Sequence, residues 1–234
     1  MADHPLAYWP LQTNPGSAEF KPTAGGPLPP PASTTVAPAN PIATRYLGNP
    51  AAGDERFEAI VRDWPNDRYA VEFWFRNDRP VDQDLVTGYL VSRGGEDPNH
   101  QQVDFGEHLG IGGMHNSGVG QRGRLFVFNG DDRPEGSLVG KQALDVGRWY
   151  HVVMQRNQES VQVFLNGQTA QPEISGKLAC HVTLPQFFGA TRSDNMFPLH
   201  GQIRHVALYA EPLPLPRIEA HFQAAIDKSA KAPA

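Results

Sequence analysis

A chain of 234 residues with a formal charge of −5 and a pI near 6.0 carries no run of Lys and Arg, which argues against nucleic acid, since phosphate recognition needs a basic face. No apolar stretch approaches the roughly twenty residues of a membrane span, and the lone Cys180 excludes an internal disulfide and a Cys-rich zinc site. Gly (23) and Pro (22) together approach a fifth of the residues, so turns should be many and helix scarce, while 12 Phe, 6 Tyr and 4 Trp supply core material.

Leu6 to Leu11 (LAYWPL) reads as a first strand. The stretch 14–41, with PLPPPASTTVAPANP at its centre, lacks ladder donors and predicts an extended surface loop. In Tyr69–Arg76 the residues Tyr69, Val71, Phe73 and Phe75 share one face, and Ala70, Glu72, Trp74 and Arg76 the other. Further strands are predicted at 88–92, 109–111, 125–128, 149–156, 161–165, 186–188 and 202–209. Asn129-Gly130 and Asn166-Gly167 follow apolar strands and have the chemistry of tight turns with positive φ at both residues. The polar break at 157–160 makes 149–174 a three-stranded meander. One helix is predicted, opened by Pro214-Leu215-Pro216 and striped by Leu215, Ile218, Phe222 and Ile226. Many short strands, a single terminal helix and no internal repeat predict an all-β, two-sheet antiparallel jelly-roll sandwich. One domain should span 1–226, followed by a flexible tail at 227–234.

Several of these segments resemble a known family. LAYWPL is similar to the opening strand of laminin-G-like jelly rolls of the concanavalin A-like lectin/glucanase superfamily, and YAVEFWFR at 69–76 to their strand with a central Trp. GRWYHVV at 147–153, VQVFLNG at 161–167, GQIRHVALY at 201–209 and the helix at 211–222 resemble later elements of that family, in the right order. The resemblance covers about residues 5–224. GYLVSRG at 88–94, HLGIGG at 108–113 and Arg192-Ser193-Asp194-Asn195 further resemble modules embedded in large bacterial extracytoplasmic proteins. It implies a lectin-like binding module joined to other domains of a longer chain, with Trp9, Trp74 and Trp149 in the core. The N-terminus lacks a signal-peptide pattern, which fits either a cytoplasmic protein or a piece of a longer secreted one.

No catalytic residue is assigned. Glycoside hydrolysis needs two carboxyl groups facing one bond, and no strand carries such a pair; Glu72 and Glu159 are isolated. The nine His show neither the helical nor the hairpin spacing of strong zinc sites. Oxygen-rich loops favour calcium as the possible cofactor, with Asp194 and Asn195 the leading side-chain ligands, although each such loop is also an ordinary turn. Where the family's last strand often bears an Asp that supports calcium, this chain has Arg204 and His205, which weakens that site. Trp64, in a turn beside Pro65-Asn66-Asp67, is either a platform for a sugar ring or a plug under a loop. The function expected is recognition of a carbohydrate or protein ligand, the alternatives being a glycan-cleaving enzyme and a ligand-free spacer.

Overall fold

Residues 5–9, 44–46, 57–61, 64–81, 84–94, 106–114, 120–129, 137–179, 186–192 and 197–231 are described by the computed structural model. They form β1 (Ala7–Trp9), β2 (Thr44–Tyr46), β3 (Phe57–Ile60), β4 (Arg68–Asn77), β5 (Val86–Gly94), β6 (Gly106–Gly112) and β7 (Arg124–Asn129). There follow β8 (Ser137–Ala143), β9 (Trp149–Asn157), β10 (Ser160–Leu165), β11 (Ile174–Lys177), β12 (Gln186–Gly189), β13 (Gly201–Tyr209) and the helix α1 (Leu215–Lys231). One sheet has the order β1-β13-β4-β9-β10-β11 and the other β2-β3-β12-β5-β6-β7-β8. The ladders between these strands are antiparallel. This is the predicted two-sheet sandwich.

Alternation along β4 buries Tyr69, Val71, Phe73 and Phe75 in the core between the sheets, as predicted, against Leu109, Ile111, Leu125 and Val127 of the opposite sheet. Trp9 stacks on Phe187 there at 5.8 Å. The expected placement of Trp74 and Trp149 in this core is corrected: both are half-buried on the outer face of the six-stranded sheet. Directly opposed residues of an antiparallel pair share a face. β9 pairs Tyr150 with Phe75 and Trp149 with Arg76, so Tyr150 and Val152 point inward while Trp149, His151 and Val153 point out. The segment WYHVVMQR is apolar on both faces, and its own period could not choose between them.

β13 departs from strict alternation. The register against β4 shifts between Arg204 and Ala207, and His205 takes a left-handed φ of 53°. This bulge lets Ile203, Val206 and Leu208 all reach the core. Tyr8 on the edge strand bonds His205 Nδ1 at 2.7 Å, and burial, with the Glu72 charge, pushes the Tyr8 hydroxyl up to about 12.

Two buried carboxylates hold the architecture together. Arg156 of β9 and Glu107 of β6 form an ion pair across the sandwich, and Arg156 Nη1 also donates to the carbonyls of Gln158 and Leu178, both at 2.8 Å. Burial raises the Glu107 carboxyl even against the lowering effect of Arg156. At the end of the seven-stranded sheet, an irregularity in β8 frees the N–H groups of Lys141 and Gln142, which donate to Glu173 Oε1 at 2.6 and 2.8 Å. Gly140 makes room, since a Cβ there would meet Glu173 Oε1 at 2.6 Å.

The turn at Asn166-Gly167 has φ of 53° and 68°, as its chemistry predicts. Cys180, Gly130 and the Pro-rich stretch at 14–41 lie outside the described residues. The helix corrects two expectations. It continues through Lys231, well into the predicted tail, and Leu215 and Ile226 are exposed at 43% and 41%. Its packed face is carried by Ile218, with Leu213 just before it, on Ala70, Val153, Phe164, Ala207 and Tyr209.

Candidate functional site

The outer face of the six-stranded sheet is built from the alternate residues of β13, β4 and β9. Helix α1 lies over part of it. Beneath the helix, Glu72 accepts from His151 Nε2 at 2.8 Å, from the Tyr209 hydroxyl at 2.8 Å and from His221 Nδ1 at 2.9–3.0 Å. Burial by itself would raise the Glu72 carboxyl, but the bonds and charge of His151 and His221 outweigh it and bring the group to about 2. An ionised carboxylate only accepts, so His151 Nε2 and His221 Nδ1 hold the protons. Glu72 therefore has three donors, a helix above it and no proton to give near neutrality. It is a structural anchor rather than a general acid.

Beyond the helix the same face opens. Gln202, Arg76 and Trp149 stand side by side across β13, β4 and β9, with Arg204 and Trp74 one step along. Phe222 of α1 stacks on Trp74 at 5.8 Å and closes that side. Trp149 is half-buried, with the Arg204 guanidinium carbon 4.7 Å and that of Arg76 5.5 Å from its ring. Arg76 is held by Asp78 through two bonds of 2.6 and 2.7 Å. Arg204 Nη2 donates to Gln202 Oε1 at 2.8 Å. An indole with exposed surface, an amide and guanidinium groups make a platform of the kind that binds sugars: apolar area for the ring, polar groups for its substituents.

The outer face of the seven-stranded sheet is different. Tyr89, Phe126 and Phe128 form a second apolar cluster there. His108 meets Tyr89 edge-on at 5.5 Å, and Arg192 lies over the Tyr89 ring at 5.1 Å. Each of these residues is buried.

A family model described as the concanavalin A-like lectin/glucanases superfamily matches residues 44–219, most of the chain. The chain belongs to that superfamily. Among curated protein sequences none matches it. Solved structures resemble the concanavalin A-like domain in fold. Domain 4 of the extracellular arabinanase AbnA from Geobacillus stearothermophilus, in complex with arabinotriose, aligns with a TM-score of 0.51 at 16% identity, covering 76% of this chain and 80% of that one. The binding domain of botulinum neurotoxin serotype D aligns at 0.52 and 13%, covering 79% of this chain and 47% of the toxin chain. The ligand binding domain of the same serotype, in complex with N-acetylneuraminic acid, gives 0.52 and 12%, covering 79% and 46%. The domain thus spans about half of these toxin chains.

Of the residues singled out in the sequence, Trp64 is buried in the core. It is 5% exposed, meets Tyr69 at 5.3 Å and Phe187 at 5.8 Å, and has the Arg93 guanidinium 4.0 Å above its ring. Arg93 in turn donates to the carbonyls of Trp64 and Pro65. The alternative of a solvent-facing platform at Trp64 is corrected, because both the core and Arg93 occupy its surroundings. Asp194 and Asn195 lie outside the described residues. Among the described residues, no group of three or more His, Cys, Asp or Glu is placed to hold a metal ion. Sequence reasoning missed Arg204 and Trp149 as an open pair, and it missed His221. The signal for His221 was available: it sits three residues from Ile218 on the helix face that packs.

Proposed function

We propose that this concanavalin A-like domain is a non-catalytic module that recognises carbohydrate. The observation that carries the reading is the half-open Trp149, standing among Gln202, Arg76 and Arg204 on the outer sheet face. An aromatic with polar neighbours suits a pyranose, whose C–H faces stack and whose hydroxyls need hydrogen bonds. The buried carboxylates Glu72, Glu107 and Glu173 are each bound to structural partners, which favours recognition over hydrolysis. Two domains of the same fold have been solved with saccharides, arabinotriose and N-acetylneuraminic acid, and this similarity of fold supports the same ligand class. The reading extends to an extracytoplasmic setting within a longer chain, as the resemblance to laminin-G-like modules implies.

A glycan array probed with the purified chain, with and without calcium, tests this. Binding to one saccharide class that is lost in Trp149→Ala, at an unchanged melting temperature, is the expected result. Absence of binding to any saccharide would overturn the proposal in favour of a protein-binding or spacer role.

A further inference from the structure

Resting on that reading, we infer that the Trp149 platform takes a carboxylate-bearing sugar, with Arg204 as the residue that reads the charge.

Several arginines of the domain have carboxylate partners. Arg76 is neutralised by Asp78, Arg79 by Asp84 at 2.5 Å, Arg148 by Asp145 at 3.1 Å and Arg156 by Glu107. Arg204 is treated differently. Its hydrogen bond goes to a neutral amide, Gln202 Oε1, and its Nε is buried with no acceptor among the described residues. In a chain of net charge −5, carboxylates are plentiful, yet among the described residues none is placed on Arg204.

Leaving a guanidinium without a counter-charge in a half-buried position is unfavourable, and a bound anion removes that cost. The position is also held rigidly. The indole of Trp149 lies 4.7 Å from the guanidinium, and Gln202 fixes the end of the fork at Nη2. The remaining Nη1 donors are the ones available to an incoming oxygen. A guanidinium held in this way suits a carboxylate oxygen, with less entropy to lose on binding than a free lysine would have. The sugar ring carrying that carboxylate would then pack along the exposed part of Trp149. Asp78 contributes on the other side: by neutralising Arg76 it leaves the platform with one uncompensated positive charge, enough to select a monoanionic residue.

The test uses calorimetric titration of the full chain with sialyllactose and trigalacturonate as carboxylated probes, lactose as the neutral probe and sulfated lactose as the sulfated one. At low ionic strength the expected result is that at least one carboxylated probe binds about tenfold or more tightly than lactose, with the preference shrinking as sodium chloride is raised. Arg204→Gln should abolish the preference for the carboxylated probe over lactose. Arg204→Lys, which keeps the charge but not the fork, should restore only part of it, and melting curves of both variants should match the parent. Equal affinity for lactose and both acidic sugars, or an unchanged preference in Arg204→Gln, overturns the inference while the carbohydrate reading stands. Stronger binding of sulfated lactose than of either carboxylate overturns the carboxylate assignment. Binding of no probe overturns the inference, while the carbohydrate reading is decided by the glycan array.

Discussion

Trp149 faces Arg76 directly across the ladder of β4 and β9, and the two side chains share a surface that the core never reaches. Truncating Trp149 should therefore cost little folding stability, on the order of 1 kcal/mol. Phe73, fully buried in β4, should cost about 3–5 kcal/mol on truncation to Ala. Urea denaturation of both variants checks this. A Trp149→Ala loss equal to that of Phe73→Ala would mean the strand faces are reversed.

Glu72 makes stability depend on pH in a defined direction. Its carboxyl lies at about 2 in the folded protein against 4.5 as the ordinary value. A depressed folded value contributes stability that is present above pH 4.5 and lost as pH falls toward 2, worth about 3 kcal/mol at order-of-magnitude level. Glu72→Gln should lose roughly that amount at pH 7, and its difference from the parent should vanish as pH approaches 2. Denaturation curves across this range measure it; a difference that does not change with pH removes Glu72 as the cause.

Gly167 and Gly147 separate backbone strain from crowding. Both have left-handed φ, 68° and 77°, so a Cβ costs about 1 kcal/mol at either. At Gly147 the added atom meets nothing within 4 Å, whereas at Gly167 it meets Phe222 Cβ at 2.9 Å. Gly167→Ala should destabilise clearly more than Gly147→Ala, and Phe222→Ala in the same chain should recover only part of the excess, since it removes the ring atoms at 2.9 and 3.0 Å but keeps the Cβ. Equal costs at the two glycines would place α1 elsewhere than against this turn.

The pair Arg156–Glu107 is buried on both sides, so removing one partner should be far worse than removing both. Glu107→Leu alone leaves a buried guanidinium without its charge and should cost about 3–5 kcal/mol. Arg156→Met combined with Glu107→Leu should recover most of the loss. A double-mutant cycle on thermal stability decides: additive losses would show that the pair does not couple.

For calcium, the expectation placed on Asp194 and Asn195 has a simple readout. Millimolar calcium at a site of about 0.1 mM affinity should stabilise by about 1.4 kcal/mol, enough to raise the melting temperature by a few degrees, and Asp194→Ala should remove the rise. An unchanged melting temperature on calcium addition counts against the site.

The fold was readable in the sequence where one face is apolar and the other is not. β4 and the Asn166-Gly167 turn follow directly from alternation and turn chemistry. β9 was predicted as a strand, but its facing was not, because its residues are apolar on both sides and only its pairing with Phe75 and Arg76 selects the inward set. Short strands such as β3 (FEAI) and the polar β8 (SLVGKQA) carry too little pattern to be seen alone. The site was less legible. His221 and Glu72 are separated by 149 positions, and Arg204 reaches Trp149 only because three paired strands bring them together. Sequence spacing holds no trace of such meetings. Trp64 was visible as a residue of interest, but whether an aromatic in a turn faces solvent or core depends on what packs over it.

The carboxylate of Glu173 has a consequence for neighbours in a crowded or repetitive setting. An open sheet invites another chain to add a strand wherever its margin offers unsatisfied donors. At β8 the two donors released by the irregularity already belong to Glu173, and the strand is bent out of the regular geometry a newcomer would need. Copies of the domain held close together in one polypeptide would thus lack this seam for zipping into one another. At this margin association is left to side chains, where specificity can be written, instead of to backbone, where it cannot.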